Sequence, residues 1–373
     1  MGLAWWKQLR TVLGALLAGW SVLLCGPMSM SLHTVGANAL RLRRFLRQRT
    51  WRRRSDGLHF DVLIPFMQTA VRLYRFRTGT RSYSYRFMLT AFQDLNCKDP
   101  QDMWPALGII HHMPLALDTD TNAKIVSRYI HTKQDLLPLV RTTEYGRGAP
   151  LPSWVPDWEA GVGSQLHFYN ELSFIMSWEL FNASSGRSLL VEMWPNSMLR
   201  LLGVIVDEVR TTYSVMEPRI DEPVIRVKTG PKRLEGNLKT LLAKGGNSEH
   251  VSNDFWRLLT CDIRPDEKDD LKWRRARSSD RVVCEREYRN GLLGHGVRGR
   301  RLFSAGQGDF GLGPANTMIG DVVAVLYGGR FPFILRRAPG RNTYTLVGYA
   351  YVQGIMDGEA LSGAAETEEI FLI

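Results

Sequence analysis

Gly306, Gly308 and Gly311, in the stretch Ser304–Pro314 (SAGQGDFGLGP), have the G-x-G-x-x-G spacing of phosphate-wrapping loops. Asp309-Phe310-Gly311 also spells the metal-binding triplet of protein kinases. Dinucleotide binding needs a helix opening at the last glycine, so that its N-terminus faces the pyrophosphate. Here Gly313-Pro314 follows at once, then Gly320-Asp321 and the apolar run Val322–Tyr327, which leaves no room for a helix. A kinase loop needs a valine where Gly313 stands, a lysine on the next strand and a catalytic H-R-D. Val322–Tyr327 has no lysine, and H-R-D occurs nowhere. The phosphate reading therefore fails. The glycines are assigned to a tight β connection, where positive φ or the approach of another strand excludes a Cβ.

Other reactive side chains fare no better. His111 and His112 are adjacent, so on a helix they point about 100° apart and cannot share a metal as an i, i+4 pair does. Ser164, in Gly161–Gln165, lacks the G-x-S-x-G elbow of a nucleophilic serine. Asp99 with Asp102, and Asp157 with Glu159, are carboxylate pairs that helix capping and solvation explain. Asp321 and Asp357, beside glycines, read as turn residues. Cys25, Cys97, Cys261 and Cys284 form no C-x-x-C pair, and Cys25 and Cys97 have no identifiable base nearby. No catalytic residue, metal ligand or cofactor site is assigned.

The elements that position these residues divide the chain into unlike halves. Hydrophobic periodicity makes the first ~140 residues mainly helical, with apolar stripes in Leu58–Arg77, Ser82–Leu95 and Thr121–Val140. Asp99 and Pro100 suit the cap and first turn of another helix, whose buried face is Met103, Trp104, Leu107 and Ile110. Pro150–Trp158 (PLPSWVPDW) then puts three prolines and two tryptophans in nine residues, which suits an extended linker with Trp154 and Trp158 inserted into a neighbouring core around Pro156. Leu189–Met193 and Met198–Thr211 look like strands, and Pro223–Asp280 reads as polar, poorly packed insertions. From Arg301 onward short apolar stretches (Leu302–Ser304, Val322–Tyr327, Pro332–Leu335, Thr343–Val352, Ile370–Ile373) are too close for crossover helices, so the sheet or small barrel should be antiparallel. The expected class is α+β. Its regions are 1–40, a helical region 41–145, a Trp/Pro-rich linker 146–160, a mixed region 161–300 and an antiparallel β domain 301–373.

With 48 Lys and Arg against 37 Asp and Glu, the chain carries a formal charge of +11, which favours anionic or acidic partners. The densest basic run, Arg41–Arg54, holds Arg41, Arg43, Arg44, Arg47, Arg52, Arg53 and Arg54 around Leu42, Phe45 and Leu46. It reads as a surface helix packed by that apolar stripe, or alternatively as a site for nucleic acid or acidic lipid. Few cysteines and no disulfide framework point to a reduced, cytoplasmic setting. Val12–Gly26 is apolar enough for a signal peptide, with Ala37-Asn38-Ala39 downstream, and spans a bilayer only if it extends to Leu32.

From Phe303 and Gly308–Pro314 through Gly320-Asp321, Pro332–Arg336, Val347–Val352 and Gly354–Glu359, the order of motifs resembles the C-terminal region of fungal heterokaryon-incompatibility (HET-domain) proteins. LNCKDPQDMWPALGI resembles that family's Cys-x-Asp-Pro-x-Asp helix, which holds Asp99, Pro100 and Asp102, and LPSWVPDW its tryptophan-rich linker. Gly311, Gly313, Pro314, Gly320, Asp321, Gly354, Gly358 and Glu359 are the structural motif residues. The resemblance extends to Trp5-Trp6, Thr11-Val12 and Leu24-Cys25-Gly26, which look like the last helix and strand of a HET domain. On that reading the apolar segment 12–32 is buried rather than exported, and a truncated family member or partial gene model is expected. The resemblance implies a non-enzymatic protein acting by protein–protein contacts in nonself recognition, with intact family members as candidate partners. NAD cleavage, implied by the likeness of HET and TIR domains, would require a full HET domain upstream.

Overall fold

A computed structural model describes residues 22–25, 28–48, 70, 119–141, 151–156, 177–216, 256–266, 273–289, 297, 299–362 and 366–373. The chain divides into two compact units, Met1–Leu115 and Ala116–Ile373.

In the first unit, strands β1 (Val22–Cys25) and β2 (Met28–Ser31) form an antiparallel hairpin, and helix α1 (Leu32–Gln48) follows directly. Ser31 starts that helix: its Oγ accepts the Thr34 N–H at 3.1 Å, satisfying one of the unpaired first-turn donors. Leu32, Gly36 and Ala39 supply a buried face at helical spacing. The helix begins at Leu32 rather than Arg41, so Ala37-Asn38-Ala39 lies inside it. Because Val22–Ser31 is a hairpin, segment 12–32 does not continue as one membrane-crossing helix to Leu32. No described helix is long and apolar enough to cross a membrane. The helices expected over 58–77, 82–95 and 98–110 lie outside the described residues, apart from Ala70, which is helical and buried.

The second unit opens with α2 (Thr119–Lys133), which buries Ala123, Val126 and Ile130 as an amphipathic stripe. It stops at Gln134, in the left-handed region (φ 51°), and Asp135 then caps a 3-10 turn, Leu137–Arg141, through Leu137 N–H. The β elements are β3 (Val191–Trp194), β4 (Met198–Val215), β5 (Ile263–Pro265), β6 (Trp273–Arg275), β7 (Arg300–Ala305), β8 (Phe310–Pro314), β9 (Val322–Leu326), β10 (Phe333–Arg337), β11 (Thr343–Tyr349), β12 (Tyr351–Val352) and β13 (Glu368–Leu372). Helix α3 (Arg281–Arg289) follows β6.

β4 pairs with β13, β13 with β11, β11 with β10, β10 with β9, and β9 again with β4. That circuit closes a barrel. β4 is 18 residues long and serves four neighbours because its register shifts at 205/207 and again beyond Val209. Such bulges bend a strand, so its first part pairs with β3 and β13 and its last part with β7. β7, β8 and β12 extend the sheet from there. β9 reads VVAVL and is buried throughout, as a strand covered on both faces must be. Val209, Phe303, Val323, Ile334 and Val347 form the core it shares.

Four expectations change. The sheet is antiparallel except at β11–β13, which run parallel over two residue pairs. Phe310–Pro314, assigned to a connection, is a strand, because the Phe303 ring on β7 occupies the space its glycines leave open. The barrel also takes β3 and β4 from well before residue 301. Of the polar stretch 223–280, the described part is not loosely packed: Trp256, Leu258, Leu259, Cys261 and Ile263 are all buried, because the charged residues among them pair with one another.

Candidate functional site

The glycine stretch forms the β7–β8 hairpin. Gly308 turns the chain at φ 95°, and β8 continues as a strand with no helix after it. A Cβ on Gly311 would lie 2.3 Å from the Phe303 ring, and one on Gly313 would lie 2.5 Å from Thr317 Oγ1. Neither can accept a side chain without displacing its neighbour. The hairpin is braced by Asp207, whose carboxylate accepts the amides of Glu208 (2.7 Å) and Gln307 (2.8 Å). Burial, and then the charge of Asp207, push the Asp309 carboxyl above its usual range.

From Pro314 the chain passes through a turn to β9. Asp321, 2% exposed, accepts from Arg336 Nε at 2.8 Å and Nη2 at 3.0 Å, a two-point carboxylate–guanidinium pair. The same carboxylate accepts Met318 N–H at 2.7 Å, and Arg336 also donates to Asn316 O. Gly320, at φ 89°, donates its N–H to Val209 O, and Arg301 donates to Ala315 O at 2.6 Å. Held this way, the turn presents Met318 (53% exposed) and Ile319 (66% exposed) to solvent.

Of the linker, residues 151–156 are described. Trp154 is fully buried and its indole N–H donates to Ser197 O at 3.0 Å; Pro156 is buried as well. Trp158 lies outside the described residues, as do Asp99, Pro100 and Asp102.

The densest ionic network was not anticipated. Cys261 and Asp262 are consecutive non-glycine residues in the left-handed region, at φ 49° and 53°, a conformation that surrounding structure must enforce. Asp262, 3% exposed, accepts from Arg257 and, at 2.6 Å, from Arg275 Nε. Arg275 then reaches Asp357 (2.9 and 3.0 Å) and Leu180 O, and lies 4.5 Å from the Phe181 ring centroid. Gly358, at φ 100°, and Glu359 complete this corner: Glu359 Oε2 accepts Asp357 N–H at 2.7 Å. Gly354, at φ 84°, turns the chain just before it. Phe181, Phe331, Tyr349, Tyr351 and Trp178 stack behind the network at centroid distances of 5.0–6.3 Å. Buried Arg300 lies 3.9 Å from the Tyr349 centroid and donates to Leu312 O and Tyr349 O.

Burial pushes the Cys261 thiol up to about 12, against the pull of Arg300, and raises the Tyr351 hydroxyl well above its usual range. Both groups therefore stay protonated near neutral pH, so neither is an activated nucleophile. Among the described residues no cluster of three or more His, Cys, Asp or Glu is arranged to hold a metal. Of the arginines in 41–54, Arg41 is exposed on α1; Arg43, Arg44 and Arg47 lie on the same helix, and Arg52, Arg53 and Arg54 lie outside the described residues.

Comparison with known proteins agrees with this geometry. Residues 220–373 match the model of the Het-6 beta-barrel domain. Heterokaryon incompatibility protein 6, OR allele, of Neurospora crassa is 26% identical over 276 residues, covering 60% of this chain and 40% of that protein. The chain thus spans about 40% of the length of this curated relative. No solved structure gives a significant match. The closed barrel with its glycine-lined hairpin is thus similar to the C-terminal region of fungal heterokaryon-incompatibility proteins.

Proposed function

We propose that the chain acts in nonself recognition by protein–protein contact rather than by catalysis, and that the turn at Met318-Ile319 makes that contact. The observation that carries the reading is the pairing of exposure with rigidity. Two large apolar side chains project from a turn pinned by the Asp321–Arg336 pair and by backbone bonds to Val209. Pre-ordered apolar groups lose little entropy on docking and are typical anchors of an interface. The curated relative is an incompatibility protein by name, which supports reading this surface as one for recognition. The buried carboxylates Asp262 and Asp321 are both engaged by the chain's own arginines, which favours a scaffold role for them.

A photo-crosslinking residue at position 319 tests the proposal in the fungal host. Crosslinks to one protein, formed in incompatible pairings and absent in compatible ones, are expected. Crosslinks missing in both pairings, or the same in both, overturn it.

A second reading is that Arg41–Arg54 binds nucleic acid or acidic lipid. It is favoured by α1, which places Arg43, Arg44 and Arg47 within about 100° of helical arc. It predicts binding that weakens steeply with salt and is lost when these arginines become glutamine.

A further inference from the structure

β13 is held unequally on its two sides. Against β4 it forms five antiparallel pairs, from Glu368↔Gly203 to Leu372↔Leu199. Against β11 it forms two parallel pairs, with Phe371 N–H on Asn342 O (2.9 Å) and Ile373 N–H on Tyr344 O (3.0 Å). Every other joint in the barrel circuit is antiparallel and has more pairs. This seam is where the barrel has fewest backbone bonds to break.

The linker sits on that seam. Ser153, 4% exposed, donates both its backbone N–H (2.7 Å) and its hydroxyl to Ile373 O, while its Oγ accepts Leu346 N–H at 2.8 Å. One serine thus takes over as partner to β11 where the β13 pairing ends. Its neighbour Trp154 is anchored to Ser197 O, and Ser197 Oγ donates to Asp120 near the start of α2. The segment that leads into the barrel unit is in this way connected to the barrel's weakest joint.

We propose that residues 151–156 are a latch: while Ser153 is seated the β11–β13 seam is shut, and withdrawing the linker frees β13 from β11 and opens the barrel there. Local opening of this kind is a normal excursion of a fold at its least-bonded element. A partner that displaces the linker would change the barrel's accessible edge without unfolding its core.

Residue-resolved amide hydrogen exchange on the full chain tests this. In the wild type, Leu346, Phe371 and Ile373 should exchange faster than the amides of β9 and β10. Ser153→Ala leaves Leu346 N–H without its acceptor and should speed exchange at these three amides about tenfold, with β9 and β10 unchanged. Trp154→Phe keeps the ring but removes the anchor, and should act in the same direction. If Ser153→Ala does not fold, the wild-type ordering and the Trp154→Phe shift still decide. Uniform acceleration across the barrel would make Ser153 a general stabiliser and overturn the latch, as would a wild-type seam no faster than β9.

Discussion

Asp321 and Asp262 are both buried carboxylates facing arginine, yet they do different work in the fold. Asp321 closes a turn: its partner Arg336 lies 15 residues away on the second of the two strands that follow, and its remaining bond goes to the amide of Met318. Asp262 joins regions: it gathers Arg257 and Arg275, and Arg275 carries the link on to Asp357, 82 residues away. The first shapes one surface feature. The second fastens residues 256–289 to the barrel, in a backbone conformation that Cys261 and Asp262 would not hold alone. The same chemistry, placed locally or across long separations, yields a rigid loop in one case and a tertiary joint in the other.

Truncation should separate the two. Asp262→Ala takes the shared carboxylate from Arg257 and Arg275 and is expected to cost about 3–5 kcal/mol in urea unfolding, the range for breaking a buried pair from one side. Asp321→Ala should cost less, about 2 kcal/mol, since one arginine rather than two loses its carboxylate. Equal losses, or the reverse order, would break the comparison.

The glycines of the β7–β8 hairpin, on the Asp321 side, sharpen it further. Gly311→Ala pushes a methyl into the Phe303 ring and should destabilise by about 1–3 kcal/mol, as overpacking does. Phe303→Leu in the same chain should recover part of that loss. Additive losses would mean that the two residues are not packed against each other.

Acid should act unequally on the two regions. Hydrogen bonds from Arg274 hold the Asp280 carboxyl down at about 2 against an ordinary 3.8. A depressed carboxyl contributes stability in full above 3.8 and loses it as the pH falls through about 2. Arg274→Gln should therefore lower the melting temperature at pH 7, with the gap to wild type closing as the pH approaches 2. In the β7–β8 hairpin the sign reverses. Burial raises Asp309, so its charged form is disfavoured in the fold. Asp309→Asn should raise the melting temperature slightly at neutral pH, and the gain should vanish below the usual carboxyl range, where the wild type is protonated in both states.

The Asp321 turn and β9 were largely legible in the sequence because their signals are local. Gly320-Asp321 marks a turn by residue type alone, and Val322–Leu326 announces a buried strand by composition. β8 was not legible, because glycine disfavours strands and only the Phe303 ring from the next strand makes FGLGP a good one. The Asp262 network was hidden for a stronger reason. Its members lie in a polar stretch whose alternating charges look like a solvated surface, and nothing in their spacing shows that Phe181 and Asp357 will meet them. The linker was legible as a buried tryptophan segment, but Ser153 was not, since one serine carries no signal of a partner 193 residues away. The resemblance to the family rested on the order of several motifs, a signal no single element carries.

The charged and glycine residues stiffen the barrel, and the apolar turn they present is the proposed recognition surface. The measurement that tests this most directly is the incompatibility response of a strain whose only copy carries Ile319→Asp. Ile319 is 66% exposed, so the variant should melt with the wild type and accumulate to the same level. The account predicts that this folded protein no longer supports the response. A full response from a strain making the variant at wild-type level would contradict it.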